Sequence, residues 1–267
     1  MIDICVNLAN SQFRQDRPEI LERAFSSGLE ALVLTGTDID TSKECLGFCD
    51  EFSDQYPNQL FSTVGVHPHD AKIWNADVRS QLETLLKSPK AVAVGEAGLD
   101  FNRDFSPRDI QIKAFEGQIE LAAQSGLPLF LHERDAFSTQ IEILKSYRDQ
   151  FSDAIIHCFT GDKKALFAYL DLDLHIGITG WICDERRGLD LAELVSNIPL
   201  NRLMAETDAP FLLPRNIQPK PKSRRNEPAY LKWVMQKLAD CYQLPAVQIT
   251  EHTSANARTF FNLGCPL

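Results

Sequence analysis

Eight short apolar runs recur along this chain, and each is closed by a polar residue. They span Ile2 to Val6, Ala31 to Leu34, Phe61 to Val66, Ala91 to Val94, Pro128 to Leu131, Ala154 to Ile156, Leu174 to Ile178 and Leu203 to Ala205. Ala91-Val92-Ala93-Val94 and Leu129-Phe130-Leu131 are apolar at consecutive positions, as a strand is when a parallel sheet buries both its faces. Successive runs begin 20 to 37 residues apart, room for a strand, a loop, a helix and a return.

The intervening segments carry helical spacing. Ile112, Phe115, Ile119 and Ala122 form one stripe, with Ser106 as N-cap, Pro107 in the first turn, Asp109 near the positive helix end and Gly126 as the stop. A second helix starts near Pro228 and aligns Leu231, Val234, Met235 and Leu238. Eight such units in 267 residues favour an α/β fold with one closed (β/α)8 TIM barrel, a unit that commonly takes about 250 residues. No linker divides the chain, so residues 1–267 are expected to form a single domain. An open doubly wound sheet is disfavoured, because Asn7-Leu8-Ala9-Asn10 stands where a glycine-rich phosphate loop would follow the first strand.

The residues ending the runs are Asn7, Thr37, His67, Glu96, His132, His157, Thr179 and Asp208. In a barrel, the C-terminal ends of the strands converge on one face, where catalytic groups sit. Imidazole and carboxylate together suit a divalent ion, which lowers the pKa of bound water. Glu96, His132 and His157, from neighbouring strands, are the candidate ligands. Asp208 reaches across as a further ligand or proton acceptor. A nucleophilic mechanism is weaker: no Gly-x-Ser-x-Gly elbow occurs, and strand alternation turns Cys158 away from His157. His175, inside a run, reads as structural, and His69 and His252 carry no signal.

The formal charge of −10 opposes a broad duplex-binding surface. Positive charge is local instead: Arg215, Lys220, Lys222, Arg224 and Arg225 share a stretch without acids after strand eight, and Arg186 and Arg187 follow strand seven. Phe101, Trp181 and Phe211 are possible stacking platforms, though core packing is the expected role of each. No apolar stretch is long enough to span a membrane, Met1-Ile2-Asp3 is unlike a signal peptide, and a cytoplasmic location is expected. The seven scattered cysteines suit reduced thiols.

Gly65-Val66-His67-Pro68-His69, Val94-Gly95-Glu96-Ala97-Gly98-Leu99-Asp100, His157-Cys158-Phe159-Thr160-Gly161, Glu206-Thr207-Asp208-Ala209-Pro210 and Arg225-Asn226-Glu227-Pro228 resemble the signature blocks of the TatD family of metal-dependent deoxyribonucleases. Asp3 to Leu8 and Ile178 to Gly188 are most similar to its bacterial members. The resemblance implies a TIM barrel of the amidohydrolase type and a Mg²⁺-supported 3′→5′ exonuclease on single-stranded DNA and RNA, monomeric, serving DNA repair or nucleic-acid turnover. Mn²⁺ and Zn²⁺ are the alternative ions. The resemblance places Glu96, His132 and His157 at metal-ligand positions and Asp208 at the acid of the last strand, with Glu96 and Asp208 catalytic.

Cys5 and Asn7 stand where most family members carry His-x-His. That substitution favours one firmly held ion, with a second recruited by substrate phosphate. His67, Asn7, Arg186, Arg215, Arg224 and Arg225 are the expected substrate contacts. The rivals are a hydrolase of the same barrel type acting on amides, lactones or amine-bearing bases, and a binding protein with weakened catalysis.

Overall fold

The computed structural model describes residues 1–264; Cys265, named above among the thiols, lies outside the described residues. Eight parallel strands follow one another in chain order around a single sheet. They are β1 (Ile2–Val6), β2 (Ala31–Leu34), β3 (Leu60–Val64), β4 (Ala91–Asp100), β5 (Leu129–Arg134), β6 (Ala154–Ile156), β7 (His175–Ile178) and β8 (Leu203–Ala205). The seam between β8 and β1 is joined by a Val6–Ala209 bridge, with Asp208 N donating to Cys5 O at 3.0 Å and Asn7 N to Ala209 O at 2.8 Å. The TIM barrel expected from the spacing is therefore present.

The helices are α1 (Arg17–Ser26), α2 (Ile39–Glu51), α3 (Ala76–Leu85), α4 (Arg108–Ser125), α5 (Phe137–Tyr147), α6 (Lys163–Asp171), α7 (Leu189–Leu194), α8 (Leu231–Tyr242) and α9 (Ala246–Phe260). Phe115, Ile119 and Ala122 of α4 are buried, and so are Leu231, Val234, Met235 and Leu238 of α8. Each large side chain so covered contributes about 1.5–3 kcal/mol. Gly126 ends α4 at φ 72°, as a left-handed C-cap. Ser106 is not the N-cap of α4. Its hydroxyl donates to His69 O at 2.8 Å and accepts from Lys72 N at 3.1 Å, tying the loop after β3 to the loop after β4.

β4 outruns its apolar stretch by six residues and β5 by three, so this pair stands above the rest of the rim. Gly98 makes the extension possible: its φ is 127°, and a Cβ there would collide with the His132 carbonyl. Inside the barrel, Phe130 stacks under His157, centroids 4.8 Å apart, and Phe261 from the end of α9 lies beneath it. The functional rim thus rests on a packed apolar floor. His175 is buried on β7 beside Asp153, as a structural residue would be. The six described cysteines are free thiols.

Candidate metal centre

The C-terminal ends of the strands enclose a cavity of about 420 Å³ lined by Glu96, His132, His157, His67, Asn7 and Asp208 together with the side chains between them. Glu96, buried on the β4 extension, is the hub. Its Oε1 lies 2.8 Å from His157 Nε2, 3.0 Å from His132 Nδ1 and 3.2 Å from His67 Nε2. Three imidazole nitrogens around one carboxylate oxygen form a donor set that suits a divalent ion. Grouped by ligand atoms that lie within 4.8 Å of one another, His67, Glu96 and His132 form one potential set and Cys5, His157 and Glu206 another.

The protonation pattern follows from the contacts. Burial opposes charge on Glu96, yet the His157 and His67 imidazoles and the hydrogen bonds from His132 and His157 hold its carboxyl well below the usual range. Burial likewise works against protonated His157, but the Glu96 and Glu206 carboxylates overcome it and raise the imidazole well above its ordinary value. His132 is raised for the same kind of reason, with Asp100 and Glu96 on its two ring nitrogens. His67 goes the other way: burial lowers it, and its Nδ1 accepts from His69 N at 3.1 Å. Its Nε2 lies 3.2 Å from Glu96 Oε1 without hydrogen-bond alignment, while Nδ1 orders the following loop.

Asp208 sits in the left-handed region at φ 54°, uncommon for a non-glycine residue. Asn7 donates to its Oδ1 at 2.9 Å, and Cys5 Sγ lies 3.5 Å away. Burial lifts its carboxyl to about 7, with the charges of Glu96 and Glu206 adding and His157 and the Asn7 bond opposing. It lines the cavity opposite the histidines without a hydrogen bond to them.

Behind these groups stand residues that the strand-end pattern did not reveal. Asp100 Oδ2 lies 2.6 Å from His69 Nε2 and 3.3 Å from His132 Nε2, so His69 belongs to the site after all. Glu206 is fully buried; its Oε1 accepts from Cys158 N, and its Oε2 faces His157 Nδ1 at 3.4 Å, too misaligned for a hydrogen bond. Cys158 does not face away from the site. β6 ends at Ile156 and Cys158 adopts φ 46°, which breaks the alternation and brings its side chain to the cavity wall beside His157.

The basic residues divide. Arg225 is spent on Asp16, 2.6 Å away, and on Gln12 O, where it pins the segment ahead of α1 and does not stand free at the mouth. Arg215 pairs with Glu185 at 2.9 Å and Arg187 with Asp184 at 2.9 Å. Arg186, Arg215, Lys220 and Arg224 nevertheless line one groove, which meets the metal cavity at Trp181 and Leu212. Lys222 is exposed but not among the residues lining that groove. Phe211 is 46% exposed at the cavity, so it is no core residue. Trp181 and Phe101 are partly buried against the core.

A parallel barrel with Glu, His and Asp converging on its C-terminal rim defines a hydrolase of the amidohydrolase-type TIM-barrel class. The chain matches the family described as TatD related DNase over residues 2–262. It is 49% identical over 263 residues to the 3′-5′ ssDNA/RNA exonuclease TatD of Edwardsiella piscicida, covering 98% of this chain and 100% of that one. The crystal structure of YjjV, a TatD homologue from Escherichia coli K12, superposes with a TM-score of 0.86 at 26% identity, covering 99% of this chain and 98% of that one. A TatD family hydrolase from Entamoeba histolytica superposes at 0.90 with 22% identity, covering 99% and 98%. The chain belongs to the TatD family of DNases and is a hydrolytic nuclease.

Proposed function

We propose that the protein removes nucleotides from the 3′ ends of single-stranded DNA and RNA in a metal-dependent reaction, as the name of its Edwardsiella relative describes for that enzyme. The observation that carries the reading is the convergence of His67, His132 and His157 on Glu96 Oε1. Glu96, His132 and His157 would hold a divalent ion, with Asp208 as a further ligand or proton acceptor. Such an ion supplies Lewis-acid stabilisation of phosphoryl oxygens and lowers the pKa of water. Mg²⁺ is favoured, because Asn7 spends its amide N–H on Asp208 and leaves a hard carbonyl oxygen for the cavity. Mn²⁺ fits the same donors.

The protein's own groups do the rest. Asp208 can take a proton near neutrality, since its carboxyl is raised to about 7. Asp100 orients His132 from behind, and the buried Glu206 carboxylate sets the charge beside His157. Arg186, Lys220 and Arg224 attract the phosphate backbone, and Trp181 and Phe211 give bases a surface to stack on. That cationic groove favours phosphodiesters over amide or lactone substrates. The chain acts as one barrel domain and a monomer in the cytoplasm, in DNA repair or nucleic-acid turnover; no helix among the described residues is long and apolar enough to cross a membrane.

The test uses single-stranded and duplex oligonucleotides labelled at either end, with Mg²⁺, Mn²⁺ or EDTA. Laddering of 5′-labelled single strands with Mg²⁺ or Mn²⁺, abolished by EDTA, supports the reading. Cleavage indifferent to chelation, or progressing from the 5′ end, refutes it.

A further inference from the structure

Among the described residues that line the metal cavity, only Arg134 is an arginine or lysine. It lies on the β5 extension two residues after His132, so the pleat directs both side chains to the same face. Its Nη1 donates to Thr160 Oγ1 at 3.1 Å, which fixes the head group against the loop after β6. The acids nearest in the chain and in register form no ion pair with it, although Glu133 feels its charge. Glu133 Oε1 accepts from Ala136 N at 2.8 Å, and Asp100, the register partner of Arg134, is taken up by His69 and His132. No carboxylate among the described residues pairs with Arg134, in contrast to Arg187, Arg215 and Arg225 around the same mouth.

An anchored guanidinium with Nε and Nη2 unspent, on the wall of a cavity rich in carboxylates, lacks the partner that a purely structural arginine would have. The missing partner has the chemistry of a phosphate. We propose that Arg134 is a catalytic residue that grips the scissile phosphodiester, an inference that rests on the exonuclease reading above. It transfers no proton and no group; it holds the negative charge that gathers on the non-bridging oxygens as the phosphorus is attacked. Thr160 is its positioning residue. The location fits this role: Glu133, Arg134 and Thr160 line the metal cavity and also a second cavity of about 610 Å³ over the ends of β5 and β6, which could take the nucleotide beside the scissile phosphate.

The experiment compares metal-loaded wild type with Arg134→Gln, Arg134→Lys, Arg134→Ala and Thr160→Ala on a 5′-labelled single strand, with Mn²⁺ affinity measured by calorimetry on each. Arg134→Gln is expected to lose about 100-fold in kcat, the scale seen when one charge-stabilising donor is removed. KM and Mn²⁺ affinity change little. Arg134→Lys recovers part of the loss, Thr160→Ala loses less than Arg134→Gln, and added guanidinium partly restores Arg134→Ala without accelerating the wild type. A loss confined to KM, a parallel loss of Mn²⁺ affinity, absence of guanidinium rescue, or full activity in Arg134→Gln overturns the proposal. A wild type that fails to cleave under the same conditions sinks the exonuclease reading instead.

Discussion

Asn7 Nδ2 donates to Asp208 Oδ1 at 2.9 Å across the seam between the first and last strands, although 201 residues separate the two in the chain. The bond favours ionised Asp208 against burial, which raises its carboxyl to about 7. Asn7→Ala should therefore raise that pKa further and move the acidic limb of the kcat/KM profile to higher pH. A hydrogen bond to a charged group is worth about 1.5–3 kcal/mol, so the rate at neutral pH should fall by about tenfold or more. An unmoved acidic limb would show that Asn7 does not tune Asp208.

Metal binding should release protons. His132 and His157 are held protonated above the ordinary imidazole range by their carboxylate neighbours, and a ligating nitrogen must be free of its proton. Affinity for Mn²⁺ should rise with pH through and beyond that range. Calorimetry in buffers of different ionisation enthalpy should record the released protons; a pH-independent affinity with no buffer dependence contradicts the assignment.

Much of this site is legible in the sequence because a parallel barrel forces strand ends together. Glu96, His132, His157 and Asp208 each follow an apolar run, and that position together with their imidazole or carboxylate chemistry makes them the candidates. Asp100 and Arg134 escape the pattern for one physical reason: β4 and β5 continue past their apolar stretches, where no hydrophobic pattern marks a strand. Glu96, Gly98 and Asp100 alternate, as do His132 and Arg134, so period-two spacing from the strand-end residues is the signal that finds them. His69 follows from Asp100, its partner at 2.6 Å. The orientation of Cys158 depends on a single left-handed φ, which no side-chain pattern announces. The fate of Arg225 depends on Asp16, 209 residues away, and only the folded chain brings them together.

Asp3 should make the fold less stable as pH rises. It is fully buried, accepting from Thr207 N at 2.9 Å, from the Thr207 hydroxyl at 2.5 Å and from Cys5 N at 3.3 Å, and burial pushes its carboxyl up to about 8 despite these bonds. The folded state thus retains a proton that the unfolded chain releases. Stability from this group is complete below the ordinary value of 3.8 and is lost as pH climbs through about 8. Thermal melts of Asp3→Asn across that interval should decline less than those of the wild type. Parallel declines would contradict the buried-proton account.

The cations around the mouth should separate by function. Neutralising Arg186, Lys220 and Arg224 together should raise KM and lower its salt dependence, by about 0.7 in the log–log slope for each phosphate that no longer meets a cation. Arg225→Ala should leave that slope intact and instead lower stability by about 1 kcal/mol, since its pair with Asp16 is partly exposed. Salt-series kinetics and denaturant unfolding on both variants decide the matter; a flattened slope in Arg225→Ala would reverse the assignment.

We propose Glu96 as the group that gathers the imidazoles into a metal site on which hydrolysis depends. Glu96→Gln keeps the size of the side chain and removes its charge. Mn²⁺ calorimetry and laddering of a 5′-labelled single strand are run on the same folded preparations of wild type and variant. Glu96→Gln is expected to melt as a folded barrel yet to lose most of its metal affinity and nearly all stepwise cleavage. Wild-type metal affinity and cleavage in that variant would remove Glu96 from the metal site.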